Sequence, residues 1–361
     1  MSTSLVTCAR AARRAFTLIE LMVVLIIIAV VISIVLPALR LARIATRTTT
    51  TRAMMTNITN AVGSYVNDNK RLPGYFTARQ MGDTGNQGQG FTALQNVMLE
   101  LAGFTQGLTM IGPGTAAADQ VGIDLTMLGV GGQSTSKAYY IPEARHWVAQ
   151  NQTPGVSQVA AANNYNLPSV VDDFGNPVLA WVMDDTAVGQ ITQESNFAKA
   201  WVTGPNDASA RFYWVPNAAF LRSTSLGQRG YDQTDQASGS MISGAGAANP
   251  PNIDKSLCGL LGSPSYPYRP QPPTGQAPTV PAAARAPFIL QSAGGDGVFV
   301  GKRDRGAKQF TNQWIDYQMS FVNKAGGSEG NTADIYTDKD GKRAIIDVVA
   351  KFDDSIATGG N

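Results

Sequence analysis

The hydrophobic pattern near the amino terminus is continuous rather than alternating. Residues Leu21 to Leu39 form 19 consecutive positions without a charge, which would extend roughly 28 Å as a helix. This length nearly matches the hydrocarbon core of a bilayer, about 30 Å. A cleaved secretory signal has a shorter apolar region that ends in a small-residue cleavage site, and this segment lacks one. The pattern therefore predicts a retained transmembrane helix over residues 18–39.

A helical pattern continues beyond the apolar segment. Arg40, Arg43 and Arg47 recur at helical spacing, and an apolar stripe with a period near 3.6 follows them. The stripe consists of Met54 or Met55, Ile58, Val62 and Tyr65 or Val66. We therefore expect one stem helix over residues 16–70, with a kink at Pro37. The stripe predicts that a globular domain covers the second half of this helix.

The remaining residues, 71–361, predict a globular head with short strands. A short amphipathic helix is expected from Phe91 to Leu101, because Gly103 stops it. Runs of β-branched and aromatic residues predict strands at 138–141, 178–183, 211–215, 288–290, 298–300 and 344–349. The expected fold class is α+β, with the long amino-terminal helix packed on an antiparallel β-sheet that carries long loop insertions.

One segment of the head, residues 227–287, differs in composition from the rest. It is rich in glycine and polar residues, and ten of the 19 prolines of the chain lie between Pro250 and Pro287. Such composition is typical of chain that does not form a packed core. We expect a long surface insertion here rather than a second domain.

The charge balance argues against a nucleic-acid partner. The formal net charge is +2, but Arg10, Arg13 and Arg14 all precede the apolar segment. Without the first 15 residues, 25 basic side chains face 26 acidic ones, a net charge of −1. Only Cys258 would then remain of the two cysteines, which excludes an internal disulfide but leaves the compartment open.

The stretch Arg13-Arg14-Ala15-Phe16-Thr17-Leu18-Ile19-Glu20, followed by the apolar helix, resembles the class III signal of type IV pilins and type II secretion pseudopilins. The resemblance implies that a prepilin peptidase removes residues 1–15 by cutting between Ala15 and Phe16, and then methylates the new amine of Phe16. The family usually has Gly where this chain has Ala15. Pro37 is similar to the proline at which the stems of the family bend.

Glu20 places one carboxylate in an otherwise apolar segment. A charge at the middle of a bilayer costs roughly 2.5 to 3.5 kcal/mol. The resemblance identifies Glu20 with the stem glutamate of the family. A carboxylate one helical turn from a cationic amine can pair with it, or with the amine of a neighbouring subunit, and so fix the register between stems. The alternative is a carboxylate that reaches the headgroups at the end of an ordinary anchor.

Two further stretches are similar to the major pseudopilin. They are Asp173-Phe174-Gly175-Asn176-Pro177 and the pair Ser292–Gly297 and Gly326–Ile335. In that family the carboxy-terminal loop binds calcium, which implies Asp296 and Asp334 as Ca²⁺ ligands. The alternative is that these residues only form turns, and no cofactor is required. Asp338-Lys339-Asp340-Gly341 is interpreted as a hairpin turn rather than an EF-hand.

Sequence signals for an enzyme are weak. His146 is the only histidine, and its neighbourhood favours a surface or packing role. The adjacent carboxylates Asp172-Asp173 and Asp184-Asp185 are expected to be solvated turn ends, and the five tryptophans to pack in the core. We therefore predict that the chain is not an enzyme, with a tethered hydrolase as the least favoured alternative.

The resemblance implies a structural subunit of a type II secretion pseudopilus or type IV pilus-like filament that supports protein secretion. Its partners would be other pilin or pseudopilin subunits, the prepilin peptidase and an inner-membrane assembly platform. The subunit would cross the inner membrane once with its head in the periplasm, before entering a filament. The alternative function is a membrane-anchored surface binding module, or a minor pilin or adhesin.

Overall fold

A computed structural model describes residues 17–86, 91–103, 137–149, 168–187, 189–204, 206–221, 240–242, 250–268, 279–301, 315, 317 and 347–360. The chain divides into two compact units, Met1–Arg47 and Thr48–Asn361. Helix α1, Leu18–Asn69, contributes residues to both units. The second half of the predicted stem is therefore a part of the head.

Helix α1 is one continuous helix of 52 residues that includes Pro37. Proline cannot donate a backbone hydrogen bond to the carbonyl of Ser33, four residues earlier. The hydroxyl of Ser33 donates to the carbonyl of Val30 over 2.7 Å. The predicted stem helix is confirmed over the described residues, and the predicted kink stays a prediction.

The head consists of short helices and strands. The helices are α2 (Ala78–Met81), α3 (Ala93–Leu101), α4 (Glu194–Phe197), α5 (Ala218–Leu221) and α6 (Pro250–Leu261). The strands are β1 (Trp147–Ala149), β2 (Pro168–Val170), β3 (Leu179–Val182), β4 (Ala198–Lys199), β5 (Phe212–Tyr213), β6 (Pro267–Tyr268), β7 (Val280–Pro281), β8 (Phe288–Ser292) and β9 (Ser355–Gly359). The short 3₁₀ helices Ala144–His146, Val215–Asn217 and Val349–Lys351 complete the described elements.

The central sheet has three antiparallel strands in the order β3-β8-β9. Successive side chains of a strand point to opposite faces, and here both faces are buried. Ala180 and Leu290 lie in one apolar cluster with the second half of α1 and with α3. Leu179 and Ile289 lie in the other cluster, which includes residues of α6. The predicted α+β architecture, a long helix packed on an antiparallel sheet, is confirmed.

The predicted apolar stripe of α1 is buried in the first of these clusters. Met55, Ile58 and Val62 have no exposed surface, and they pack with α3 and with strands β3 and β8. Burying a side chain of this size contributes about 1.5–3 kcal/mol. The stripe therefore attaches the second half of α1 to the sheet.

A buried carboxylate joins the end of α1 to helix α3. Glu100 is only 6% exposed, and its oxygens accept hydrogen bonds from the Tyr65 hydroxyl, the Arg71 guanidinium and the Gly74 amide. Burial raises the pKa of Glu100, but these three donors outweigh burial, and the pKa is lowered overall. Glu100 is therefore charged and saturated with donors in the folded head.

Several predicted strands are wrong, because contacts from distant residues determine the backbone there. At 138–141 the amides of Tyr139 and Tyr140 both donate to the Leu101 carbonyl at the end of α3. At 298–300 the Val300 amide donates to Asp354 Oδ1, and Val300 has a positive φ of 50°. The first half of the predicted strand 344–349, residues 344–346, lies outside the described residues and stays a prediction. The second half is not a strand, because it leads into the 3₁₀ helix Val349–Lys351.

The interpretation of residues 227–287 as a surface insertion is wrong for helix α6. Leu257, Cys258, Leu260 and Leu261 of α6 have no exposed surface and lie in the larger apolar cluster. Pro250 and Pro251 do not prevent a helix because they lie in its first turn, where the amide has no intrahelical partner. The prediction was wrong because the high proline content of the segment outweighed the helical spacing of the apolar residues in α6.

Helix α6 also carries a buried carboxyl group, that of Asp254. Its Oδ1 has no hydrogen-bond partner among the described residues. Burial raises the pKa of Asp254 to about 7, although the Ala200 amide and the Lys199 ammonium lower it; Glu194 raises it further. Folded and unfolded chains therefore bind different numbers of protons between pH 3.8, the ordinary value, and about pH 7.

This difference predicts the pH dependence of an Asp254→Asn variant. A raised pKa means that stability is lost as the pH rises from the unfolded to the folded value. Asparagine keeps an acceptor for the Ala200 amide without the charge. We expect the variant to be more stable than the wild type by about 4 kcal/mol at pH 8, with the difference vanishing towards pH 4. Urea unfolding of the detergent-solubilised full chain at both pH values measures this.

An Asp185→Asn variant is a suitable control, because Asp185 is an exposed carboxylate. It should be about as stable as the wild type at both pH values, because substitutions of exposed side chains usually change stability by no more than about 0.5 kcal/mol. An Asp254→Asn variant that is no more stable at pH 8 than at pH 4 would contradict the expected proton uptake by Asp254.

Candidate functional site

The first half of α1 presents an apolar surface to its surroundings. Leu18 is 76% exposed, Ile26 is 60% exposed and Leu36 is 61% exposed. The most apolar window of the helix has no buried residue within the chain. A contiguous exposed apolar surface of this size marks contact with a membrane or with another protein. By length and composition, this helix can cross a membrane, and it fits a single-pass anchor.

Glu20 lies in the first turn of α1 and pairs with Thr17. The amide and the hydroxyl of Thr17 both donate to Glu20 Oε2, each over 2.9 Å. In return, the Glu20 amide donates to the Thr17 hydroxyl over 3.3 Å. This reciprocal arrangement is a capping box, which satisfies amides that have no partner at a helix start. Its position also favours a negative charge, because the helix dipole is positive at this end.

The capping box leaves part of the carboxylate available. Both bonds from Thr17 reach Oε2, and no residue in the described part of the chain donates to Oε1. A carboxylate held in one orientation through one oxygen can accept a further cation through the other. Glu20 therefore has the geometry for a second, external partner at the start of the stem.

Ala15 and Phe16, the predicted processing residues, lie outside the described residues. The cleavage between them and the pairing of Glu20 with the Phe16 amine stay predictions. Pro37 lies within the exposed apolar part of α1. The structure thus places Glu20 and Pro37 on one helix, 17 positions apart in the sequence, with no contact implied between them.

In the head, Asp172 and the predicted motif Asp173–Pro177 form a tight turn. Asp172 Oδ1 accepts from the Phe174 amide over 2.9 Å and from the Asn176 amide over 2.8 Å. Burial raises the pKa of Asp172, against the lowering effect of its hydrogen bonds to Ser292, Asn176 and Phe174. The expectation of solvated turn ends is therefore wrong for Asp172, which is 2% exposed, and for Asp184, which is 3% exposed.

This turn contacts the stretch Ser292–Gly297, which lies more than a hundred positions later in the chain. The Ser292 hydroxyl donates to Asp172 Oδ2 over 2.6 Å, and the Asn176 amide group donates to the Gly294 carbonyl over 3.2 Å. Gly294 has a φ of 69°, and a Cβ there would be 2.7 Å from the Asp353 carbonyl oxygen. Residues 173–177 and 292–297 therefore meet in one site, and the close approach at Gly294 requires glycine.

The predicted calcium ligands are only partly described. Asp296 Oδ1 accepts from the Val298 amide over 2.8 Å, which is the geometry of a turn. Asp334 lies outside the described residues, and the described part of the chain contains no group of three metal-ligating side chains. Because Asp334 and its loop are needed to test the donor set, calcium binding stays a prediction.

The only histidine has a structural role. His146 is 3% exposed, and its Nδ1–H donates to the Val171 carbonyl over 3.0 Å. This bond joins the 3₁₀ helix Ala144–His146 to the turn region after β2. The sequence predicted a surface or a packing role for His146, and its burial shows that the role is packing. Among the described residues, the ring has no contact with a serine, cysteine or carboxylate that would suggest a catalytic arrangement.

Comparison with known proteins identifies the amino-terminal segment. Residues 10–36 match the family model of the prokaryotic N-terminal methylation motif, the class III signal. No curated protein and no solved structure is significantly similar to the chain. The matched segment contains the basic leader residues, Phe16, Glu20 and most of the apolar span. The chain thus carries the signal of type IV pilin-like proteins, and the motif indicates a structural protein.

Sequence reasoning missed two features of these sites. The spacing Thr17-Leu18-Ile19-Glu20 has the T-x-x-E form of a capping box, and this signal could have predicted the Thr17–Glu20 pair. The contact between Asp172 and Ser292 had no local signal, because it depends on how the sheet brings β3 and β8 together.

Proposed function

We propose that the protein is a structural subunit of a type II secretion pseudopilus or of a type IV pilus-like filament. The observation that carries the proposal is Glu20, a carboxylate held by Thr17 at the start of an exposed apolar helix, within a methylation motif. Subunits assemble when the apolar stems leave the lipid and pack against one another. The Phe16 amine of one subunit then pairs with Glu20 of another.

The turn at Asp172 and Ser292 supports the type II secretion branch of this proposal. It joins the two stretches that resemble the major pseudopilin, and Ser292 is buried in the contact. In this proposal the subunit has no catalytic role. It is anchored in the inner membrane with its head in the periplasm, and its partners are other subunits, the prepilin peptidase and the assembly platform.

Processing of the amino terminus tests the proposal. We expect mass spectrometry of the chain purified from its native membrane to show a mature protein that begins at a methylated Phe16. An Ala15→Gly variant, with the residue that the family usually has, should be processed at least as well. An Ala15→Trp variant should retain its leader, because the peptidase selects a small residue before the cleaved bond.

The proposal fails if the wild-type chain keeps its leader or is cut beyond Leu39. Cleavage without methylation would support export through this signal but would contradict the complete pilin-type processing expected here.

One observation favours the alternative of a membrane-anchored binding module. The head contains a cavity of about 490 Å³, within the range of small-molecule sites. Its polar lining includes Arg52, Asp347, Asp354 and Arg285, and Arg285 is paired with Asp347 through two hydrogen bonds. In this alternative the stem only tethers the head, so assembly through Glu20 is not required.

A further inference from the structure

The stem carries arginines immediately after its apolar segment. Arg40 follows Leu39 directly and Arg43 follows three positions later, and both side chains are exposed. Residues three apart are neighbours on a helix surface. The two guanidinium groups therefore form a pair on one side of α1, and neither forms an ion pair with a carboxylate in the described part of the chain.

The depth of this pair in a bilayer follows from the helix geometry. An apolar segment from Leu21 to Leu39 crosses the hydrocarbon core at about 1.5 Å per residue. Arg40 then lies at its boundary, and Arg43 lies about 4.5 Å further along the axis. Each headgroup layer is roughly 5 to 7 Å thick. Both guanidinium groups therefore reach the depth of the lipid phosphates.

Membrane orientation does not explain these arginines. Basic residues normally accumulate on the cytoplasmic side of a span, where Arg10, Arg13 and Arg14 would lie. Arg40 and Arg43 lie at the opposite end of the same span, so they weaken this bias. A contact partner at this end of the span would explain the presence of Arg40 and Arg43.

A second copy of the chain offers no acidic partner at the same height. The sequence contains no aspartate or glutamate between Glu20 and Asp68. A neighbouring stem in register would bring only more arginines, which repel. Lipid phosphates, by contrast, are present at this depth and match the planar guanidinium group through paired hydrogen bonds.

We propose that Arg40 and Arg43 form a contact site for the phosphate groups of anionic phospholipids at the membrane face where the apolar segment ends. Only these two arginines are assigned to it. Arg52 donates to the Ser355 hydroxyl in the head over 3.3 Å, and Arg47 has interactions of its own. The site holds the unassembled subunit at a fixed depth, and these lipids must be released when the stem leaves the bilayer.

Native mass spectrometry of the full chain in mild detergent tests this site. The protein is mixed with equal amounts of phosphatidylglycerol and phosphatidylcholine, and the bound lipids are counted. We expect the wild type to prefer the anionic lipid by about 30-fold, because each arginine near an anionic surface contributes about fivefold. A double variant, Arg40→Gln with Arg43→Gln, should bind both lipids about equally.

Two control variants make the result specific. Lys137→Gln with Arg145→Gln removes the same charge from exposed head residues and should keep the wild-type preference. Arg40→Lys with Arg43→Lys keeps the charge without the paired donors and should retain only part of the preference.

Three results would overturn the proposal. They are a wild type without preference, an Arg40→Gln/Arg43→Gln variant with the wild-type preference, and an equal loss in the head control. If the double variant weakens self-association but keeps the lipid preference, the arginines act in contacts between copies of the chain instead of binding lipid. None of these measurements requires leader cleavage or filaments, so their failure is separate from that of the proposed function.

Discussion

Replacing Glu20 by leucine is expected to reduce incorporation into filaments at least tenfold while the chain remains anchored in the membrane. The substitution removes a charge that costs roughly 2.5 to 3.5 kcal/mol in lipid, so membrane insertion does not suffer. It also removes the acceptor that we propose for the Phe16 amine of a neighbouring subunit. Immunoblots of sheared filaments and of membranes from the same cells compare the two pools.

A Glu20→Gln variant separates charge from capping. Glutamine keeps an oxygen that can accept from the Thr17 amide, as Glu20 does over 2.9 Å, but it has no charge for the Phe16 amine. We expect this variant to fail in assembly as the leucine variant does. If glutamine assembles normally and leucine does not, Glu20 acts through the capping box rather than through pairing between subunits.

A matched control is Glu143→Gln, because Glu143 is an exposed carboxylate of the head that pairs with Arg145. It should assemble at the wild-type level. Normal assembly of both Glu20 variants would contradict the filament proposal and favour the membrane-anchored binding module.

Replacing Glu100 by leucine is expected to destabilise the head by about 3–4 kcal/mol. The change leaves the Tyr65 hydroxyl and the Gly74 amide without their acceptor, and a buried donor without a partner costs about 1–3 kcal/mol. The bond to Arg71 is also lost, although Arg71 is half-exposed and can turn to water. Urea unfolding of the full chain in detergent measures the difference at pH 7.

The stabilities of the wild type and of the Glu100→Leu variant should depend differently on acidic pH. The pKa of Glu100 is below its ordinary value of 4.5 in the folded chain. The stability that its charge contributes is therefore complete above about pH 4.5 and is lost as the pH falls through the folded value. The difference between wild type and variant should shrink in this acidic range, whereas an unchanged difference would contradict a charged Glu100.

Glu143→Gln again provides the control, because its ion pair with Arg145 is exposed. Such pairs contribute about 0–1 kcal/mol. A loss for Glu100→Leu no larger than this would mean that the bonds joining α1 to α3 do not stabilise the head.

The stem could be predicted because its determinants are local. A long apolar run, a helical stripe from Met55 to Tyr65 and the residues around Glu20 define α1 without knowledge of the rest of the chain. Strands β3 and β8 were also predictable, since their apolar runs are buried on both faces. Local patterns failed where a distant group determines the backbone, as Asp354 does at Val300.

The site where the Asp172 turn meets Ser292 could be predicted only in part, because it also depends on distant contacts. The Asp173–Pro177 and Ser292–Gly297 stretches are visible in the sequence as turns with charged and glycine residues. Their contact through Asp172 and Ser292 is a property of strand pairing across a long separation. The prediction for helix α6 was wrong for another reason. The helical spacing of apolar residues from Ile253 to Leu261 was outweighed by the proline-rich composition of the segment.

The order of strands in the central sheet has a consequence for the folding kinetics. Trp181 of β3 bonds to Gln291 of β8, 110 positions later, and β8 pairs in turn with β9 near the carboxyl end. Sheets built from such distant segments fold slowly. Until β8 has been synthesised, the apolar strand β3 has no pairing partner, and the partly folded head is then vulnerable to aggregation and proteolysis.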